Sequence, residues 1–333
     1  MKEINIGILG LGTVGTGIAK MLLENADLIT ARVGARLILK KAADIDLEKD
    51  RGIRFDDGVL TADAMSVVDD PDIHIIMEMI GGETIAKEFI VQAMTNGKHI
   101  VTANKALLAS SGNELFGLAA EKGVTIAFEP SVGGCMPIIK TIRESLAGNR
   151  IASISGILNG TCNYILSKIT SEGVSFEDAL AEAQAEGFAE ADPTLDIEGF
   201  DTAHKLAILA SIAFGSKINL KDVYVEGISN VTALDIAFAD QCGYCIKLLA
   251  ITKSSGDAIE ARIHPTMIPF SNPLSNVNGS LNAVTICGDA VGEMMLYGHG
   301  AGMMPTASAA VSDVIDIARD LIAGTCPRVP MLS

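Results

Sequence analysis

The chain has 333 residues, long enough for two domains that each bury their own core. Hydrophobic residues at 49% and charged residues at 20% exclude disorder and suit a packed α/β protein. A formal net charge of −16 with no basic cluster excludes nucleic acid and anionic membrane as main partners, which leaves a small-molecule substrate.

Residues Ile4 to Leu9 read as a buried strand, followed by Gly10, Leu11, Gly12, Thr13, Val14 and Gly15 and an amphipathic helix to about Leu23. Met1 to Leu23 imitates a signal peptide in hydrophobicity. Its glycines, however, follow a nucleotide-binding pattern and no small-residue cleavage site comes after, so a cytoplasmic protein is expected. GxGxxG between a first strand and a helix gives a tight turn, backbone approach to a pyrophosphate and close helix packing. The alternative is a glycine-rich turn with no ligand.

The second strand, Ala35 to Ala43, ends near Lys40, Lys41, Asp44 and Asp46. At such an end an acid binds the ribose hydroxyls of NAD and a base the extra phosphate of NADP. The signal is mixed, so the expected cofactor is NAD(P); Lys40 and Lys41 are either phosphate contacts or solvated. Ile73 to Met77 is a further strand, then a helix around Ala86 to Thr95, then a strand from His99 to Ala103. Alternation of this kind builds a parallel, Rossmann-type sheet with its ligand at the carboxyl ends of the strands, where Ile80, Gly81, Thr102 and Lys105 fall. A cation at a helix start is opposed by the helix dipole, which favours a functional role for Lys105 over a surface one.

A strand at Thr125 to Phe128 leads into Glu129-Pro130-Ser131-Val132-Gly133-Gly134-Cys135-Met136-Pro137, taken as the crossing into a second domain. Ile151 to Leu158 reads as a strand, and Asn159-Gly160-Thr161-Cys162-Asn163-Tyr164 opens a helix, with Asn159 suited to cap it. Helices are expected around Phe176 to Glu186 and Asp201 to Phe214. Between them Glu186, Glu190, Asp192, Asp196, Glu198 and Asp201 crowd a loop that enters the apolar run Leu206 to Phe214 through Lys205. Asp201 and Lys205 are four apart and share a helix face. Burial and the positive end of the helix both disfavour a charged lysine, while Asp201 favours it, and such a balance suits proton transfer to or from an alcohol or carbonyl oxygen. Glu190 is a candidate anchor for a substrate ammonium group. The plain alternative is a surface ion pair contributing about 0.3–0.5 kcal/mol.

From Val223 onward the segments are short: Val223 to Ile228, Ile246 to Thr252, Ala258 to Ile263 and Ala283 to Cys287. Strands without regular helices between them predict an open, mostly antiparallel sheet, so the second domain is α+β. The cysteines at 135, 162, 242, 245, 287 and 326 form no framework and suit a reducing compartment. Cys242 and Cys245, the lone CxxC, read as structural. His264 reads as structural too, and His299, flanked by glycines, has no identifiable partner. A helix from about Ala307 to Ile322 closes the fold.

The stretch AxxxGFAxxDPxxDIxGxDxxxK, met here from Ala183 through Gly187, Phe188, Asp192, Pro193, Asp196, Gly199 and Asp201 to Lys205, resembles the signature of homoserine dehydrogenases. TANK ending at Lys105, NGTxNYI from Asn159 and GxGAGxxPTASA around Gly302 are similar to further motifs of that family, so the resemblance covers nearly the whole chain. It implies a dinucleotide-binding domain of residues 1–132 plus 303–333 and a substrate-binding and dimerisation domain of 133–302. It further implies substrate held by Glu190 and Asp201 beside Gly160 and Thr161, proton transfer by Lys205, Lys105 near nicotinamide and substrate, and Gly302 beside the cofactor. A sodium ion on the backbone at Glu129, Val132, Gly134 and Met136 also rests on the resemblance alone. Many relatives carry Arg at the position of Ile45, and its absence leaves NAD against NADP open. No C-terminal regulatory ACT domain is expected within these residues.

The expected activity is NAD(P)-dependent interconversion of L-homoserine and L-aspartate 4-semialdehyde by direct hydride transfer, in a homodimer serving threonine, methionine and isoleucine biosynthesis. The rivals are another nicotinamide-dependent dehydrogenase of an amino acid or its semialdehyde, including an acyl-enzyme type using Cys135 or Cys162, and a catalytically silent nucleotide-binding module.

Overall fold

The structure, a computed structural model, describes residues 1–256, 258–325 and 329; Cys326 and most of the closing CPRVPMLS lie outside them. The chain divides into two units, Met1–Cys135 with Gly302–Ser333, and Met136–Ala301.

In the first unit β1 (Glu3–Leu9) is almost wholly buried and passes through residues 10–12 into α1 (Thr13–Glu24). A helix that the sequence pattern did not reveal, α2 (Ala26–Val33), follows and ends on Gly34, whose φ of +81° closes it. Next come β2 (Arg36–Ala43), β3 (Leu60–Thr61) and α3 (Ala64–Val68), the last capped by the Asp63 side chain on the Ser66 N–H. β4 (Ile75–Glu78), α4 (Thr84–Thr95), β5 (His99–Thr102), α5 (Lys105–Lys122) and β6 (Ile126–Ala127) complete the alternation. The described strands of this unit form one parallel sheet in the order β3-β2-β1-β4-β5-β6. That is the doubly wound order, with the chain reversing direction of travel at β1. Ile4, Ile6 and Ile8 of β1 and Ile18 and Leu22 of α1 share a core with Val311, Val314 and Ile317 of the C-terminal helix (Met303–Ala323). Gly17 permits that packing, since a Cβ there would stand 2.8 Å from Met303. Strand β6 is shorter than the expected Thr125 to Phe128 because only Ile126 and Ala127 pair with β5.

The second unit opens with α6 (Ile138–Lys140), which runs into a π-helical turn at Thr141–Ser145, and then β7 (Ile151–Ile157). Four helices follow: α7 (Gly160–Glu172), α8 (Phe176–Ala185), α9 (Thr194–Ile197) and α10 (Phe200–Phe214). Helix α10 starts after Gly199 and stops at Gly215, both at positive φ, and buries Leu206, Ile208 and Leu209. Each such side chain contributes about 1.5–3 kcal/mol. The rest is β8 (Tyr224–Val225), α11 (Ala233–Gln241), β9 (Tyr244–Ser255), β10 (Ala258–Pro269), β11 (Leu281–Gly288) and β12 (Gly292–His299). Among the described residues the strands form one mixed sheet, β12-β11-β7-β9-β10-β8, antiparallel except for β8 against β10.

Three expectations for this sheet need correction. The segment Val223 to Ile228 keeps only two strand residues, because only Tyr224 and Val225 pair with β10. β9 and β10 reach twelve residues each, since they pair with one another along their whole length. β12 has no counterpart in the sequence reading. Its glycine-flanked, half-exposed segment is held as a strand by full pairing with β11.

Candidate active site

In the first unit the glycine pattern resolves into three different demands. Gly10 has φ +91° and a Cβ there would meet the Met79 carbonyl oxygen at 2.8 Å, so it serves the turn. A Cβ on Gly15 would lie 1.9 Å from the Gly10 carbonyl oxygen, so it serves helix packing. A Cβ on Gly12 would meet nothing within 4 Å, which leaves the start of α1 open to a ligand. An open N–H terminus after a first strand fits a pyrophosphate.

Leu11, Thr13 and Val14 complete this loop. The Leu11 N–H donates to Asp44 Oδ2 at 2.6 Å and its carbonyl accepts from Thr16 Oγ1 at 2.9 Å and Arg51 Nε at 3.1 Å. Arg51 also pairs with Asp44 Oδ1 at 3.1 Å. Although partial burial opposes it, the Asp46 and Leu11 N–H groups and the Arg51 charge hold the Asp44 carboxyl below its usual range. Lys40 and Lys41 are partly exposed and ion-paired. Both pair with Asp70 at 3.0 Å, and Lys40 reaches Asp72 at 2.6 Å.

At the carboxyl ends of β4 and β5, Glu78 is fully buried and accepts three hydrogen bonds. The Ile80 and Gly81 N–H groups donate to Oε1 at 2.9 and 3.0 Å, and Thr102 Oγ1 donates to Oε2 at 2.7 Å. Asn104 extends the network. Its N–H donates to Thr102 Oγ1 at 3.0 Å, its Nδ2 to the Gly82 carbonyl at 2.6 Å, and its Oδ1 caps α5 on the Leu107 N–H at 3.1 Å. The cap fixes where α5 starts and so where half-buried Lys105, its first residue, stands. The structure brings the expected Ile80, Gly81 and Thr102 together at the strand ends through Glu78 and Asn104, which the sequence reading did not single out. A charged residue closing an apolar strand was the available signal. Gly302, with φ +126°, precedes the C-terminal helix in the same unit. Glu129 is buried, its N–H donates to Asp313 Oδ2 at 2.9 Å, and Val132 and Gly134 follow it closely; Met136 opens the second unit.

The second unit gathers Asp201, Lys205, Asn159, Thr161 and Asp196. Lys205 is 9% and Asp201 7% exposed, so the surface-pair alternative does not hold. Lys205 Nζ donates to Asp201 Oδ2 and to the Leu158 carbonyl, each at 2.7 Å. Asn159 Nδ2 donates to Asp201 Oδ2 at 2.9 Å and to Asp196 Oδ1 at 2.6 Å, while its Oδ1 caps α7 on the Cys162 N–H at 2.8 Å. Thr161 Oγ1 donates to the Phe188 carbonyl at 2.6 Å and approaches Asp196 Oδ2 at 3.3 Å. Burial pushes the Asp196 carboxyl up, with the Asn159 hydrogen bond opposing and the Asp201 charge adding to the rise. Gly160 is the first residue of α7, and a Cβ there would stand 2.6 Å from the Ser280 carbonyl oxygen.

Glu190 makes no hydrogen bond to this cluster among the described residues. It is exposed, its carbonyl accepts from Gln184 Nε2 at 3.0 Å, and its carboxylate makes no hydrogen bond or ion pair among the described residues. Cys162 is buried, donates to the Asp196 carbonyl at 3.1 Å, and has its thiol pushed well up by burial, so it is no activated nucleophile. Cys242 ends α11 while Cys245 is buried in β9, both as free thiols.

A doubly wound sheet with an open glycine loop, together with a unit carrying a buried lysine–carboxylate pair, defines a nicotinamide-dinucleotide-dependent oxidoreductase. Two family models match, one described as homoserine dehydrogenase over residues 137–315 and one as its NAD-binding domain over 10–129. The homoserine dehydrogenase of Neisseria gonorrhoeae is 50% identical over 333 residues, covering 100% of this chain and 76% of its own. That of Pseudomonas aeruginosa is 48% identical, with 100% and 76% covered. The solved homoserine dehydrogenase of Thiobacillus denitrificans superposes with a TM-score of 0.95 at 50% identity, covering 99% of this chain and 76% of that one. A hyperthermophilic archaeal homoserine dehydrogenase in complex with NADPH superposes at 0.80 with 28% identity, covering 95% and 97%. The chain belongs to the homoserine dehydrogenase family, as an NAD(P)-dependent oxidoreductase of amino-acid biosynthesis.

Proposed function

We propose that Lys205 carries the proton in the interconversion of L-homoserine and L-aspartate 4-semialdehyde, and that Asp201 orients Lys205. The observation behind this is the buried pair itself. An ammonium so placed has one strong acceptor in Asp201 and one in the Leu158 carbonyl, which leaves a third N–H for an oxygen of a ligand. When bound, the nicotinamide supplies or takes up the hydride. As the aldehyde is reduced, charge grows on its oxygen, Lys205 donates a proton there, and Lys105 steadies that charge. In the reverse direction the neutral amine of Lys205, formed when its ammonium gives up a proton, takes the proton from the alcohol. Glu190 and Asp201 hold the substrate's amino end, and Gly160 and Thr161 shape the turn beside it.

Gly10 to Gly15, Ile80, Gly81, Thr102, Lys105 and Gly302 are proposed as the cofactor contacts. The open space at Gly12 and the amide N–H groups arrayed by Glu78 are compatible with a dinucleotide. Asp44 at the end of β2 fits ribose hydroxyls, and Arg51 beside it supplies the only cation in its ion-pair partners among the described residues. A monovalent cation such as sodium at Glu129, Val132, Gly134 and Met136 belongs to the same reading; buried Glu129 and the positive φ of Gly133 and Gly134 are compatible with backbone ligation. A homodimer and a cytoplasmic setting belong to this reading too. Among the described residues no helix is long and apolar enough to cross a membrane.

The test is initial rates of homoserine oxidation with NAD and with NADP, with sodium, potassium or choline as the only monovalent cation. Turnover that needs homoserine supports the assignment; cofactor binding without turnover would remove it.

A further inference from the structure

Lys247 is one of the most deeply buried cations of the second unit, and the chemistry above does not use it. It lies on β9, 3% exposed, and no carboxylate pairs with it among the described residues. Its Nζ instead donates to four neutral oxygens: the Val277 carbonyl at 2.7 Å, Asn163 Oδ1 and Asn278 Oδ1 at 3.0 Å each, and Ser167 Oγ at 3.4 Å. A shell of neutral oxygens replacing water is how proteins hold a large monovalent cation such as potassium. Burial pushes the Lys247 ammonium down to about 8, opposed by the Cys245 thiol on the same strand, which is the cost such a cage imposes without a counter-ion.

The cage is joined to the substrate turn. Asn163 Nδ2 donates to the carbonyls of Val277, Gly279 and Leu281 at 3.0, 2.9 and 3.1 Å, so Asn163 fastens α7 to the 277–281 loop while accepting from Lys247. Ser167, one turn further along α7, accepts from the Gly279 N–H at 3.2 Å. The same loop touches the first residue of α7, where a Cβ on Gly160 would stand 2.6 Å from Ser280 O. The first turn of α7 in turn carries Thr161 and is capped by Asn159, the donor to Asp201.

We infer that Lys247 is a tethered monovalent cation whose oxygen cage sets the first turn of α7, and that it is a positioning residue for the substrate through Gly160 and Thr161. The inference rests on those two residues lining the substrate.

Three variants test it beside the wild type: Lys247→Ala, which vacates the cage, Lys247→Met, which fills it without charge, and Thr161→Val. In a choline buffer Lys247→Ala raises KM for homoserine by about tenfold, with KM for NAD(P) within about twofold. About 0.1 M potassium or ammonium chloride restores most of it once wild-type values in the same salts are divided out, whereas lithium does not. Lys247→Met shows the same defect and no salt restores it. Recovery of soluble Lys247→Ala only in potassium or ammonium supports the cage equally. Equal behaviour in choline and potassium, an unchanged homoserine KM, or insolubility in every salt overturns it. Thr161→Val separates the two readings: if it leaves homoserine KM unchanged, the substrate assignment of the turn fails, and if it alone raises KM, the inference about Lys247 fails.

Discussion

Lys205 and Asp201 lie one helical turn apart on α10, with Nζ 2.7 Å from Oδ2 and both side chains buried. A pair at this spacing on a surface contributes a few tenths of a kcal/mol, but removing one partner from a buried pair strands the other charge. Asp201→Asn therefore destabilises the second unit by about 3 kcal/mol, while Asp201→Asn with Lys205→Met recovers most of that loss. Urea unfolding of the two variants checks it; equal loss in both would place the cost in Asp201 contacts other than Lys205.

Gly12 and Gly15 separate ligand access from packing. Gly15→Ala drives a Cβ into the Gly10 carbonyl at 1.9 Å and destabilises by about 2 kcal/mol. Gly12→Ala meets open space, so its stability stays within about 0.5 kcal/mol of wild type while NAD(P) affinity falls about tenfold or more. Thermal unfolding with and without cofactor, alongside a fluorescence titration, reads both. A Gly12→Ala protein that binds cofactor normally would move the pyrophosphate elsewhere.

Glu78 is the common acceptor for Ile80, Gly81 and Thr102. Glu78→Ala leaves the buried Thr102 hydroxyl without its acceptor, at about 1–3 kcal/mol before relaxation, and frees the part-buried Ile80 and Gly81 N–H groups toward solvent, so a loss of about 1–3 kcal/mol and weaker cofactor binding are expected. Glu78→Gln, which keeps shape but turns one acceptor into a donor, falls between. Retention of both stability and affinity in Glu78→Ala would mean that the turn is set by other groups.

Acid should loosen the first unit through His99. Burial, with a smaller contribution from His74, lowers its imidazole to about 4. Because the folded value lies below the unfolded one, near 6.5, the unfolded chain binds more protons between them. Stability from this group is complete above about 6.5 and is lost as pH falls toward 4, by about 3 kcal/mol. Comparing wild type and His99→Gln at pH 7 and pH 5 isolates it, the variant showing the shallower dependence; equal slopes would assign the acid sensitivity to other groups.

The doubly wound unit was legible because its strand ends carry local marks: glycines after β1 and TANK after β5. The burial of Lys205 was legible for a similar reason, as one cation entering the apolar run Leu206 to Phe214. What escaped depends on partners far along the chain. β12 is a strand only because β11 pairs with it, and Val223 to Ile228 shortened because only two of its residues find β10. Asn159 was read as a helix cap, which it is, but its second role toward Asp196 and Asp201 spans 37 and 42 residues and leaves no local trace. The ion pairs of Lys40 and Lys41 with Asp70 and of Lys40 with Asp72 likewise leave no local trace in the sequence.

Replacing Lys205 tests the chemistry most directly. Lys205→Ala, with Lys205→Met as the better-packed companion, should retain the wild-type circular dichroism spectrum and NAD(P) affinity while kcat for homoserine oxidation falls about a hundredfold or more. A folded variant with wild-type kcat would contradict the assignment of the proton to Lys205.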